Sequence, residues 1–90
     1  MKETEVLDIM DKRIVFHPYA LYKMGKRGIV RVNVEETILA PDSVVEAKFG
    51  RKIAQRMHGR YLLRVVFEEH ADDYLVITAY PARPQRYLRG

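Results

Sequence analysis

Four side chains of this sequence have the chemistry that phosphodiester cleavage without a metal ion requires. Such cleavage needs a base to remove the 2′-hydroxyl proton, an acid to protonate the leaving 5′-oxygen, and cations to stabilise the charge on the phosphate. Histidine titrates near neutral pH, arginine holds phosphate through paired N–H donors, and tyrosine can donate a proton or stack on a base. The predicted catalytic residues are His17, Arg27, Arg64 and Tyr80.

Basic residues are separated from acidic ones along the chain. There are 16 lysines and arginines against 12 acidic residues, and no acidic residue occurs at positions 17–34 or 47–67. Such segregation is typical of a surface that binds a polyanion, because phosphate contacts supply most of the non-specific affinity for nucleic acid. A solvated surface whose charges cluster only in sequence is the alternative. The predicted RNA-binding residues are Lys23, Lys52, Arg56, Thr78 and Arg83.

The composition excludes several other kinds of site. There is no cysteine, so the chain can form neither a disulfide nor a thiolate metal site. The three histidines, at positions 17, 58 and 70, lack the spacing of zinc ligands, so no metal and no cofactor is expected. No apolar run approaches the roughly 20 residues that span a bilayer, and the first residues lack the apolar core of a signal peptide. We therefore expect a cytoplasmic protein with no membrane partner.

Two helices are predicted in the first half of the chain, within one domain at residues 1–90. The first helix spans residues 18–27, with His17 as its cap, a proline at its first position and a glycine after its last turn. The second spans residues 34–40, because Asn33 and Glu36 have capping-box spacing and a proline follows.

The remainder of the core, which ends at about residue 83, is predicted to be a sheet. Residues 43–80 alternate between apolar and polar in runs separated by short turns, which indicates antiparallel strands in sequence order. Residues 13–16 are a strand or an extended lead-in to it, residues 4–10 are a helical turn or a further strand, and residues 84–90 are a basic tail. The fold class is therefore α+β, with two helices packed on a four- or five-stranded antiparallel sheet.

The alternation also assigns the two faces of the sheet. The face predicted to take the helices carries Tyr61, Leu63, Val65, Phe67, Leu75, Ile77 and Ala79. The opposite, open face is predicted to carry Lys52, Ala54, Arg56, Arg64, Tyr74, Thr78 and Tyr80. Cations and hydroxyl-bearing side chains would thus share one open surface.

Each catalytic candidate also has an ordinary structural explanation. His17 can be a helix cap with no further role. Tyr80 can be a packing residue at the end of the sheet. Arg64, on a central strand, can form an ion pair with Glu46 or Glu68. The sequence leaves these alternatives open.

Four segments of the chain together resemble a prokaryotic domain family of unknown function. They are HPYALYKMGKRGI at 17–29, NVEETILAPDSV at 33–44, YLLRVVFEE at 61–69 and YLVITAYPAR at 74–83. That family typically opens with a histidine, a methionine and Arg-Gly-Ile, and it closes with Val-Ile-Thr-x-Tyr-Pro. The resemblance covers residues 14–83, with lysine at position 23 where arginine is expected. Its recurring positions correspond to His17, Arg27, Arg64, Thr78 and Tyr80.

The segment from KRGI to the second predicted helix is also similar to the BrnT toxins. Both families look like relatives of the RelE/ParE-type toxins, whose fold has two helices packed on an antiparallel sheet. The resemblance implies a toxin of a toxin–antitoxin pair, an endoribonuclease that cleaves RNA without a metal and is held inactive by a small antitoxin protein. The alternative function is a non-catalytic domain of the same fold that binds RNA or another partner.

Overall fold

The computed structural model of the chain describes residues 12–87, and the prediction for residues 4–10 lies outside them. The described elements are β1 Arg13–Phe16, α1 Pro18–Arg27, α2 Arg31–Leu39, β2 Ser43–Glu46, β3 Lys52–His58, β4 Tyr61–Glu69, β5 Asp73–Ala82 and α3 Pro84–Tyr87. A short 3-10 turn, Lys48–Gly50, connects β2 to β3. The predicted α+β class is confirmed.

The five strands form one mixed sheet in the order β1-β5-β4-β3-β2. Strands β2 to β5 are antiparallel neighbours, as predicted. Strand β1 is parallel to β5, so the prediction of an entirely antiparallel sheet is wrong. Strands β2, β3 and β4 all lie between β1 and β5 in sequence. No hairpin connects β1 to β5, so no short turn requires these two strands to be antiparallel.

Helix α1 has the predicted bounds and caps. Nδ1 of His17 accepts the backbone N–H of Tyr19 at 3.0 Å. Gly28 ends the helix with φ 69°, in the left-handed region that glycine adopts without steric cost. Ala20 and Met24 are buried about one turn apart, and they form the side of α1 that packs on the sheet, where the helix contacts β5.

Helix α2 spans residues 31–39 rather than the predicted 34–40. The residue before it, Val30, makes no side-chain capping bond, and Asn33 lies inside the helix. The capping box predicted for Asn33 and Glu36 is therefore wrong. Packing outweighs local capping at this boundary, because most helical stability in a protein comes from burying one face. The buried residues of the helix are Val34, Thr37 and Ile38.

The predicted faces are correct for β4 and wrong for β3. In β4, Leu63 and Val65 are fully buried on the helix face, and Arg64 is on the opposite face. The turn between the strands contains only residues 59–60, so each even-numbered residue of β3 pairs with an odd-numbered residue of β4. Directly paired residues project from the same face. Three residues predicted for the open face therefore lie on the helix face: Lys52, Ala54 and Arg56.

A β-bulge in β5 reverses its faces partway along the strand. Val66 pairs with Thr78 and Phe67 pairs with Val76, which leaves Ile77 as an extra residue. One extra residue exchanges the inward and outward positions from that point on.

On the C-terminal side of the bulge the predicted faces of β5 are correct. On its N-terminal side they are wrong, since Val76 lies in the core and Tyr74 packs against it. The sequence predicted Leu75 and Ile77 inside and Tyr74 outside.

Residues 84–87, predicted to belong to a basic tail, form regular structure. Strand β5 continues through Pro81 to Ala82, and residues 84–87 form α3. A proline is tolerated at this point because β1 pairs only with residues 73–76 of β5, so the rest of that strand is an edge on its outer side.

One apolar core lies between the helices and the sheet. Full burial of a side chain such as Leu63 or Val65 contributes roughly 1.5–3 kcal/mol to folding. The buried core residues are Ala20, Met24, Ile29, Val34, Ile38, Ala54, Leu63, Val65, Phe67, Val76 and Ala79. No helix within residues 12–87 is long and apolar enough to cross a membrane. The other face of the sheet carries the candidate site.

Candidate nucleic-acid interface

A row of polar side chains crosses four strands on the open face of the sheet, with Arg64 at its centre. Strand pairing sets Arg64 directly between Gln55 on β3 and Tyr80 on β5. Its Nε donates to Gln55 Oε1 at 2.7 Å, and its Nη1 donates to the Tyr80 hydroxyl oxygen. Gln55 in turn donates from Nε2 to Ser43 Oγ at 2.8 Å. This row fixes the guanidinium in one position.

Arg64 is a buried cation without a counter-ion in the described chain. Only 7% of the residue is exposed, yet no carboxylate within residues 12–87 forms an ion pair with it. The sequence alternative of a pair with Glu46 or Glu68 is not observed, since Glu68 is instead paired with Arg51 at 3.0 Å. Buried charges in proteins are ordinarily paired, because removing a charge from water is costly. An anion from outside residues 12–87 would supply the missing partner.

The guanidinium still has a donor to offer. Nη2 of Arg64 forms no hydrogen bond with any residue of the described range, and no buried side-chain nitrogen or oxygen in that range lacks a partner. Nη2 is therefore the part of the group that reaches solvent. A phosphate oxygen can approach it there.

Two tyrosine rings contact the Arg64 guanidinium. The Tyr87 ring, at the end of α3, lies with its centroid 3.7 Å from Cζ of Arg64. The Tyr80 ring lies between two arginines, with Cζ of Arg64 at 5.6 Å and Cζ of Arg27 at 6.0 Å. Stacking of this kind on a guanidinium is attractive and directs the cation without neutralising it.

Arg27 reaches this cluster over the outer edge of β5. Its Nη1 donates to the carbonyl oxygen of Ala79 at 2.9 Å and contacts Thr78 Oγ1 at 3.4 Å. Both partners are neutral, so Arg27, like Arg64, keeps its full charge. The structure thus brings together four of the residues predicted for the site: Arg27, Arg64, Thr78 and Tyr80.

His17 is not part of this cluster. It caps the beginning of α1, whereas Arg27 is the last residue of the same ten-residue helix, about 15 Å further along its axis. Because Nδ1 of His17 accepts the N–H of Tyr19, the neutral ring carries its proton on Nε2. Neither nitrogen then has a lone pair available to take a proton from a substrate. The structural alternative for His17, a helix cap, describes its observed role.

The predicted RNA-binding residues are divided between different surfaces. Arg83 lines an open groove of about 1140 Å³ next to Tyr80 and Tyr87. Lys52 is on the opposite face, paired with Glu69 at 3.0 Å, and Arg56 on that same face donates to the carbonyl oxygen of Ala40.

The groove is basic and partly aromatic. It lies at the end of the sheet where β5 leads into α3, and its lining contains no acidic residue. Leu62, on the same face of the sheet, is fully buried, so the chain covers this end of the face. The residues that line the groove are Arg60, Tyr80, Pro81, Ala82, Arg83, Pro84, Gln85, Arg86 and Tyr87.

The opposite end of the sheet carries an ionic cluster that includes three acidic residues, Glu68, Glu69 and Asp73. Hydrogen bonds from Arg51 and His70 lower the pKa of Glu68, and the hydrogen bond to Glu68 raises the pKa of His70 despite some desolvation. His70 also contacts Asp73 at 3.0 Å. Glu69 accepts from two lysines, Lys12 and Lys52, and these hydrogen bonds lower its pKa. The acids there have partners of their own and leave the groove uniformly basic.

Sequence reasoning did not find Gln55 or Tyr87 as parts of the site. The predicted faces of β3 are reversed, which places Gln55 on the helix face instead of the open face. The two-residue turn at 59–60 is the signal in the sequence that gives the correct faces. Tyr87 lies beside Arg86 in the predicted basic tail, and an aromatic residue among basic ones is itself a signal for nucleic-acid binding.

The chain matches no protein-family model, none of the curated proteins and no solved structure. The geometry around Arg64 joins a buried cation that has no counter-ion among residues 12–87 to two tyrosine rings and to an arginine-lined groove.

Proposed function

We propose that this protein binds single-stranded RNA at the groove end of its sheet, with a backbone phosphate at Arg64. The observation that carries the proposal is the burial of Arg64, whose partners among the described residues are all neutral. An arginine held by Gln55 and Tyr80, with one amino group still able to donate, offers a fixed donor to a phosphate oxygen.

The surroundings of Arg64 favour a single strand over a duplex. Tyr87 is partly exposed and offers a ring surface on which an unpaired base can stack, and the faces of paired bases in a double helix are not available for such stacking. Three arginines in the groove lining, at positions 60, 83 and 86, supply contacts for the neighbouring phosphates.

The test compares two arginine-to-methionine variants that remove the same charge from opposite faces of the sheet. Arg64→Met removes the proposed phosphate ligand, and Arg56→Met is the matched control on the helix face. Binding of a fluorescent RNA strand of about twelve nucleotides is measured by anisotropy at several salt concentrations, with the same sequence as DNA in parallel. Arg64→Met should weaken RNA binding about tenfold or more, since a hydrogen bond to a charged group contributes roughly 1.5–3 kcal/mol.

The control should bind nearly as the unchanged protein does. Arg64→Met should also flatten the dependence of log affinity on log salt by about one released counter-ion. Equal losses in both variants, or no binding of the RNA by the unchanged protein, would contradict the proposal. Equal binding of DNA and RNA would keep the site and change its ligand to any single strand.

A second candidate function is RNA cleavage at the same place. The observation that favours it is the hydroxyl of Tyr80, whose oxygen accepts from Arg64 and whose proton therefore remains to be donated to a leaving oxygen. Arg64 and Arg27, on either side of the Tyr80 ring, would hold the scissile phosphate. The base role for His17 receives no support from its observed hydrogen bond, so in this cleavage solvent water takes the 2′-hydroxyl proton while Tyr80 protonates the leaving 5′-oxygen.

The same RNA samples test cleavage, when they are run on a denaturing gel after incubation in chelator. Tyr80→Phe should keep the binding and lower the cleavage rate by roughly 10²- to 10⁴-fold, which is the usual effect of removing a general acid. The resemblance to BrnT and RelE-type toxins favours this second candidate. It also implies a small antitoxin protein as partner. Intact RNA in all samples would contradict the cleavage function and leave RNA binding as the only proposed function.

A further inference from the structure

The outer side of α1 displays two tyrosines and two lysines that the core does not use. Tyr19 is 49% exposed and Tyr22 is 60% exposed. Each ring lies near the ammonium group of a lysine one turn further on, at 5.7 Å between Lys23 and Tyr19 and at 5.5 Å between Lys26 and Tyr22. These four residues are called the tyrosine–lysine face below.

The spacing of these residues makes the face continuous. Residues three, four and seven apart lie on one side of an α-helix, and the face consists of positions 19, 22, 23 and 26. The helix meets the core through a different side, that of Ala20 and Met24. Large aromatic side chains left in solvent in this way mark a binding surface more often than scattered aliphatic ones do.

The charge of this surface selects the partner. No acidic residue occurs between positions 17 and 34, so neither the helix nor its flanks carries a negative side chain. Rings that alternate with ammonium groups match a single nucleic-acid strand, in which flat bases alternate with phosphates.

Arg27 connects this face to the groove. It follows Lys26 directly in the helix, and its guanidinium lies 6.0 Å from the Tyr80 ring. Tyr80 also lines the groove. From Tyr19 to Arg27 the helix rises about 12 Å, so a strand that passes Tyr80 can continue along the helix for more than one nucleotide.

We infer that the tyrosine–lysine face of α1 is the second part of one RNA-binding path, which begins in the groove beside Arg64, where Tyr80 and Tyr87 contact that arginine, and passes Tyr80 and Arg27. Bases stack on Tyr19 and Tyr22 there, and the two lysines contact the phosphates. The inference rests on the proposed RNA-binding function and extends it, because it makes the preferred ligand a strand long enough to reach both parts.

The experiment uses two strand lengths, a trinucleotide that fills only the groove and a strand of about twelve nucleotides that reaches both parts. Tyr19→Ala/Tyr22→Ala should bind the trinucleotide as the unchanged protein does and bind the longer strand about tenfold more weakly or worse. Phe49→Ala is the control, since Phe49 is an aromatic residue that is 86% exposed elsewhere on the surface. It should change neither affinity.

A second variant keeps both rings. Lys23→Gln/Lys26→Gln should flatten the salt dependence for the longer strand and leave that for the trinucleotide unchanged. If the double tyrosine variant is poorly folded, the double lysine variant still tests whether the tyrosine–lysine face binds the longer strand.

The outcomes separate this inference from the proposed function. Unchanged affinity of both variants for the longer strand overturns the inference, while loss of trinucleotide binding in Arg64→Met would still support the groove. Failure of the unchanged protein to bind either strand overturns both. Loss of binding to both lengths in the α1 variants also overturns the two-part path, because the short strand should not reach the helix.

Discussion

Arg64 is held in place by polar and aromatic groups and is not neutralised by any carboxylate of residues 12–87. Arg51, by contrast, forms an ion pair with Glu68 at the surface, where such pairs contribute little to stability. A buried guanidinium without a counter-ion lowers the stability of a small domain, since methionine in its place would avoid the cost of removing a charge from water. Residues that lower stability in this way are typical of binding sites.

His17 supports the beginning of α1 through its Nδ1 atom, and this role can be measured. His17→Ala removes the acceptor for the Tyr19 N–H and should lower the free energy of unfolding by about 1 kcal/mol. For a domain of this size, this corresponds to a fall in the thermal midpoint of about 4–8 °C. His17→Asn keeps a good cap and should stay within a few tenths of a kcal/mol of the unchanged protein.

RNA binding should be the same in both His17 variants. Equal midpoints for alanine and asparagine would show that the cap contributes nothing. A loss of RNA binding in His17→Asn would instead give this histidine a place in the site.

Sequence alone identified the individual residues of the site better than their arrangement. Arg27, Arg64 and Tyr80 were predicted from their chemistry, and they do lie together. The sequence could not show that His17 lies away from Arg64, because a histidine side chain can serve equally as a helix cap and as a general base. Only the position of Nδ1 against the Tyr19 N–H distinguishes the two roles.

Among the secondary-structure elements, the central strands act as one unit through the row from Ser43 to Tyr80. Gln55 is 3% exposed, and both ends of its amide are used, one by Ser43 and one by Arg64. Leucine at this position would fill the space and offer neither a donor nor an acceptor. The stability of this part of the sheet should therefore depend on residues 55 and 64 jointly.

Gln55→Leu should lower the free energy of unfolding by roughly 1–3 kcal/mol, because the buried Nε of Arg64 loses its partner. Adding Arg64→Met should restore most of that loss, since the unpaired group is then removed as well. A double-mutant cycle by urea unfolding should give a coupling of roughly 0.5–3 kcal/mol between the two positions. Independent, additive losses would mean that Gln55 does not hold Arg64.

The prediction of the elements failed where the register depends on a single residue. The bounds of α1 and the order of β2 to β5 followed from caps and turns, whereas the start of α2 and the place of β1 did not. The faces of β3 depended on the length of the turn at 59–60, and those of β5 depended on the bulge at Ile77. A bulge leaves no clear mark in an apolar run such as LVIT, because each of its residues could occupy the interior.

Within residues 12–87, the two ends of the sheet as a whole differ in charge. The basic groove occupies one end, and the cluster of Glu68, Glu69, His70 and Asp73 occupies the other. The acids of that cluster are paired with cations such as Arg51 and Lys52, whereas the lining of the groove contains arginines and no acidic residue. A polyanion that approaches this domain is therefore attracted more strongly to the groove than to the end where the charges are paired, which orients it before contact.

The ionic cluster should make the free energy of unfolding depend on pH, with stability lost both at high pH and at low pH. The hydrogen bond to Glu68 raises the pKa of His70 above 6.5, so its contribution is complete below pH 6.5 and is lost as the pH rises through the raised value. Hydrogen bonds lower the pKa values of Glu68 and Glu69 below 4.5, so their contributions are complete above pH 4.5 and are lost as the pH falls through the lowered values.

Urea unfolding across this range should show the largest difference between the unchanged protein and His70→Gln between about pH 4.5 and 6.5, with the difference shrinking above that window. The groups are exposed, so the effect should be small and should weaken in high salt. A difference that grows above pH 7 would contradict the assignment.

The position of the tyrosines has an optical consequence. The chain contains six tyrosines and no tryptophan, so all of its intrinsic fluorescence comes from tyrosine. Two of these rings, Tyr61 and Tyr74, pack against the core. The other four lie along the inferred RNA path: Tyr19, Tyr22, Tyr80 and Tyr87. Most of the emitters therefore stand where a stacked base would quench them, and the unlabelled protein can report the occupancy of its own surface.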